Sequence, residues 1–222
     1  LPLTSLTQDT AGFGIVNTQA DADGIVRKVA TKFDSLYDHF TIATLRAAGE
    51  GIGTLPPTLR INFTGPPKTF NYYSYVDVLN GTVPAGTFKD KIILVGATAP
   101  DLHDDQIVPT SNKSPMPGVE IHANVVQMLR ERRFLTSQPR ALTVGIIALL
   151  GVLTSVITIL IPLLPGVIFC VLAVVAYLFY VSFTFDQGQL VNILYPTLAI
   201  AIALITNIVF KYLTESSLKA YI

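Results

Sequence analysis

The sequence predicts an α/β domain, built on a mixed, largely parallel sheet with flanking helices, followed by a three-helix transmembrane region. Three observations carry this. Between Ala141 and Phe210 the only charged residue is Asp186, whereas the preceding residues have ordinary soluble composition. Within that soluble part, Leu59, Ile61 and Phe63 alternate with polar residues, and Ile92 to Val95 form an unbroken apolar run; both are strand patterns. Ile121, Val125, Met128 and Leu129 then recur at helical spacing, which packs one helix face on the sheet.

The chain has 222 residues with 15 basic and 15 acidic side chains, so no charge excess argues for nucleic acid. Cys170 is the single cysteine, which excludes an intrachain disulfide. No Walker loop, Gly-x-Ser-x-Gly elbow, HExxH helix or paired-cysteine site occurs, and no catalytic residue or cofactor is implied.

In chain order, Phe13–Val16 and Ile25–Val29 read as two strands around the turn Asp21–Gly24. Alternate aspartates at 21 and 23 resemble the start of a calcium loop, but no glutamate follows at its twelfth position, so a structural turn is expected. His39 to Ala48 suits a helix ended by Gly49. Ser74 and Asp77 have capping-box spacing for a short helix to Leu79. From Leu59 through this helix to Ile92 a right-handed parallel βαβ unit is expected.

A polar loop follows the Ile92–Val95 strand, with Thr98, Asp101, His103, Asp104 and Asp105, and Pro117-Gly118 then launches a helix carrying Glu120 and His122. Open α/β sheets bind ligands beyond the carboxyl ends of their strands. Thr98, Asp101, Asp104, Glu120 and His122 are therefore the candidate ligand-binding residues. His103, Asp104, Asp105, Glu120 and His122 offer metal-ligand chemistry, but their spacing fits no standard site. Glu120 and His122 also point about 200° apart on a helix. No metal is expected. Glu120 suits the positive helix start, and His122 suits a packed, hydrogen-bonded position.

Asp90–Pro100 (DKIILVGATAP), Met116–Asn124 (MPGVEIHAN), Gly14–Asn17 with Asp21–Val29, and Arg60–Pro67 together resemble the CHASE type-two sensory domain, an extracytoplasmic input module of bacterial membrane receptors. The resemblance implies that residues 1–138 are the carboxyl-terminal part of that domain, with an amino-terminal span and first half preceding them. It implies a homodimeric receptor in the plasma membrane, an unidentified extracytoplasmic ligand, and a cytoplasmic output domain in the same chain. That output is a class III adenylate or guanylate cyclase, or alternatively a kinase. The competing class is a membrane-anchored structural or binding protein without catalytic output.

The expected spans are Ala141–Ile161, Gly166–Phe185 and Leu190–Phe210, each about 20 residues or roughly 30 Å, the thickness of the bilayer's hydrocarbon. They lie within a region 139–212, and residues 213–222 begin a connector helix. Gly151 with Ser155, and Ala199 with Ala203, have the small-xxx-small spacing of close helix approach. Arg130, Arg132, Arg133 and Arg140 before the first span outnumber Lys211 and Lys219 after the last, which by charge alone puts the domain in the cytoplasm. The family resemblance puts it outside.

Overall fold

The computed structural model describes residues 8–99, 102, 104–112 and 114–220. It divides into two compact units, Leu1–Leu135 and Thr136–Ile222.

In the first unit, β1 (Lys28–Ala30), β2 (Lys32–Phe33) and β3 (Tyr37–Asp38) precede α1 (Phe40–Ala47), then β4 (Thr58–Arg60), α2 (Tyr75–Leu79), β5 (Asp105–Gln106), β6 (Met116–Pro117) and α3 (Gly118–Glu131). The alternation read from Leu59 holds: Leu59 and Ile61 are buried while Arg60 is exposed. They join Val26, Val29, Ile42 and Leu45 in one core with the apolar face of α3. The Asp21–Gly24 turn is present, closed by Gly24 N donating to Asp21 O over 2.9 Å, with Gly24 at φ +78°. Both aspartates are engaged by Arg27, at 3.0 Å from Asp21 and 2.8 Å from Asp23.

The sheet differs from expectation. β1–β4, β2–β3 and β5–β6 are antiparallel pairs, and among the described residues parallel contact in this unit is limited to single bridges, Ile15 with His39 and Ile25 with Ile107. Phe13–Val16 contributes only that bridge at Ile15 rather than a strand. Ile92–Val95 is no strand either, so the parallel βαβ unit does not form among the described residues. The physical reason is partnership. An apolar run becomes a buried strand only where neighbours supply both ladder bonds and cover. Here Ile93 and Val95 stay exposed, and only Ile92 among these four packs on the core. The segment is held instead by a close pass over α3, where a Cβ on Gly96 would sit 2.5 Å from Val119 Cβ.

Helices begin and end for local reasons. His39 caps α1, and Gly49 at φ +76° follows its end. Ser74 occupies the cap position of α2 but makes no side-chain cap bond, so the capping box is not formed. Arg132 closes α3 in the left-handed region at φ +54°, with Arg133 N returning to Met128 O.

The second unit holds α4 (Arg140–Leu160), α5 (Leu163–Asp186) and α6 (Leu194–Ala220), with short strands β7 (Thr136–Ser137) and β8 (Gln189–Leu190). Helix α5 starts ahead of Gly166 because Pro165 is tolerated inside a first turn. Helix α6 starts at Leu194, later than expected, because Gln189 and Leu190 pair in parallel with Thr136 and Ser137. Asn192 then accepts Tyr195 N at 3.0 Å to open the helix.

Candidate functional site

The start of α3 collects the polar groups. Its cap residue, Pro117, offers no side-chain acceptor, so the first amide, Gly118 N, donates to Asp104 O over 2.8 Å. The Asp104 carboxyl lies against the Gly118 α-carbon, where any Cβ would come within 2.6 Å of it. Any larger residue at 118 would push the Asp104 carboxyl aside, so glycine there serves this close approach and not a special backbone angle.

Glu120 is 2% exposed, and its carboxyl group accepts from Lys68 N at 2.9 Å, Thr69 N at 2.9 Å and Tyr72 Oη at 2.8 Å. Burial, and then Glu120 beside it, hold the Tyr72 phenol well above its ordinary range, so it remains a donor. One turn on, Asn124 Oδ1 accepts Thr64 N at 2.9 Å, and its amide donates to Glu120 O at 2.9 Å. The polar face of α3 thus binds backbone amides of the irregular Thr64–Tyr72 segment. Satisfied this way, a buried carboxyl group rigidifies rather than destabilises.

His122 looks elsewhere, towards α1. Its ring lies 5.3 Å from that of His39 at 52°, and 5.6 Å from Phe40 edge-on. His39 is fully buried and stacks at 6.3 Å on Phe33. Its Nδ1 accepts Thr41 N at 3.3 Å and sits 2.8 Å from Thr41 Oγ1. An accepting Nδ1 leaves the ring proton on Nε2. That Nε2, and Nδ1 of His122, are buried without a hydrogen-bond partner. Burial, then the neighbouring His122, push His39 down to about 4. Burial also lowers His122, with Asp104 pulling the other way.

Of the residues singled out in the sequence, Asp104, Glu120 and His122 converge on the first turns of α3. Thr98 is exposed, two residues beyond the Gly96 approach to α3. Asp101 and His103 lie outside the described residues. Glu120 and His122 contact different segments, as their helical spacing requires. Among the described residues no group of three or more His, Cys, Asp or Glu could hold a metal ion. Sequence reasoning missed His39 and Tyr72. Position alone hinted at His39, one residue before a helix that lacks a Ser, Thr, Asp or Asn cap.

The CHASE2 domain model matches residues 3–162, which takes in the first unit and continues through the first apolar helix. The chain belongs to the CHASE2 domain family. No curated protein and no solved structure matches it.

Three helices of this CHASE2 chain make it a membrane protein: Arg140–Leu160, Leu163–Asp186 and Leu194–Thr214 are each long and apolar enough to cross a bilayer. Helices α4 and α6 meet through the small residues singled out in the sequence, since a Cβ on Gly151 would lie 3.9 Å from Ala199 Cβ. Polar groups lock the same pair. Asn207 Nδ2 donates to Thr158 Oγ1 at 2.6 Å and to Ser155 O at 3.1 Å, and Lys211 Nζ reaches Ile161 O at 2.6 Å. In hydrocarbon such groups need internal partners, and here a cation also satisfies a carbonyl at the end of α4.

Proposed function

We propose that this CHASE2 chain is the input and transmembrane part of a signalling receptor whose sensory unit lies outside the plasma membrane. The observation that carries the reading is the order of parts: a sensory-family domain, then three membrane helices, the last running unbroken from Leu194 to Ala220 beyond its apolar stretch. An odd number of spans puts the sensory unit and the end of α6 on opposite sides. A stimulus acts around the start of α3, at Thr98, Asp104, Glu120 and His122, and alters how the spans pack. The receptor works as a homodimer with a cytoplasmic output, a class III nucleotide cyclase or a kinase. That output and the dimer rest on the family resemblance. Signalling of this kind needs two packings whose balance the stimulus shifts.

Topology tests the reading. Thr54 is exposed in the sensory unit, whereas Ser111 is buried and unsuitable as a label site. With Cys170 replaced by alanine, Thr54→Cys should react with an impermeant thiol reagent on intact cells. Ser217→Cys should react only after permeabilisation. The reverse pattern would overturn the orientation in favour of the arginines around the first span.

A further inference from the structure

We propose that His39 and His122 are a proton-binding couple joining α1 to α3, and that acidification is a stimulus this sensory unit detects. The proposal rests on the receptor reading for its purpose but not for its chemistry.

Two imidazoles, fully and 92% buried by their 0% and 8% exposures, face each other at 5.3 Å, and each keeps a buried ring nitrogen without a partner. A neutral pair tolerates this arrangement. A charged pair does not, for three reasons. Protonated His39 would turn an Nδ1–H towards Thr41, whose hydroxyl at 2.8 Å can accept it but whose amide then loses its cap acceptor. The charge would also stand at the positive end of the α1 dipole. Two imidazolium rings at this separation would repel.

The surroundings offer little compensation. Phe33 of β2 and Phe40 of α1 supply only ring faces and edges. Asp38, next to His39 in the chain, is paired with Arg46. Among the described residues, Asp104, beside Gly118, is the anion that acts on His122. The first proton therefore goes to His122, and a second, on His39, breaks the cap. The depressed affinity of both rings at neutral pH agrees with this order, His39 lying at about 4 and His122 also below its ordinary value.

What acid loosens is the contact between α1 and α3, the helix whose other face clamps Thr64–Tyr72. A proton at the histidines thus acts on the same helix that carries the candidate site.

The test uses the whole chain in lipid nanodiscs. Backbone hydrogen exchange over residues 39–48 and 118–126, corrected for intrinsic rates, is compared at pH 7 and about pH 4.5, a span that brackets most of the titration. Opening in α1 should increase about tenfold or more in acid. His39→Asn keeps an acceptor at the cap without a titrating ring, and with His122→Gln it should remove most of that response while preserving protection at pH 7. An equal acid response in the double variant would overturn the proposal, as would unchanged exchange in the wild-type chain. Protection by added zinc at pH 7 would overturn it too, by assigning the two nitrogens to a metal. Inverted thiol labelling would sink the receptor reading and leave the exchange result standing, so the two failures are separable.

Discussion

The Tyr72 hydroxyl donates to Glu120 across 2.8 Å, tying an irregular segment to a helix that sequence distance alone would not bring near. With the Lys68 and Thr69 amides it makes Glu120 the most heavily used side chain at the start of α3.

Removing that acceptor strands two amides and a phenol. Glu120→Ala should lower the stability of the sensory unit by roughly 2–4 kcal/mol, and Tyr72→Phe by about 1 kcal/mol. Denaturant or thermal unfolding of the nanodisc-embedded chain measures both. A Glu120→Ala chain with undiminished stability but altered signalling would instead make Glu120 a ligand contact.

Close approach is testable at Gly96. An alanine Cβ there would lie 2.5 Å from Val119 Cβ, so Gly96→Ala should cost about 1–3 kcal/mol by overpacking. Val119→Gly removes the colliding Cβ together with its methyls. The double variant should be more stable than the sum of the single losses predicts, and a simply additive result would contradict the contact.

Acid stability should fall in two steps. His39 has its native value depressed to about 4 from 6.5, so its contribution is complete above about pH 6.5 and is lost as pH falls towards 4. For this fully buried ring the loss is on the order of 3 kcal/mol. Asp23, hydrogen-bonded by Arg27, is depressed from 3.8 to about 2. Its contribution, present above 3.8, disappears as pH falls through about 2, and its exposure keeps that step small. Unfolding midpoints measured from pH 8 to 2 should lose the upper step in His39→Asn.

In the membrane unit the Gly151 Cβ position and Ala199 Cβ are 3.9 Å apart, within disulfide reach. Gly151→Cys with Ala199→Cys, in a Cys170→Ala background, should cross-link rapidly under mild oxidation. Asn207→Leu removes the hydrogen bonds to Ser155 and Thr158 and should weaken the α4–α6 contact by roughly 1 kcal/mol, read as slower cross-linking. No cross-link in the parent pair would refute the packing of these helices.

How much was legible varies with how local the cause is. The three apolar helices follow from sequence alone, because a charge-free run about 20 residues long satisfies its own backbone and needs no particular neighbour. Helices α1 and α3 were equally legible from Gly49, Pro117 and the spacing of Ile121, Val125 and Leu129. The cluster of polar residues at the start of α3 was visible too, but not its division of labour. Ile92–Val95 has the pattern of a strand but does not form one, because a strand is a property of its partners, and without them Ile93 and Val95 stay exposed. Tertiary structure also decided that Glu120 serves Lys68, Thr69 and Tyr72, and that His122 meets His39. Those contacts join segments far apart in sequence, and only the packing of α3 between them sets which side chain faces which.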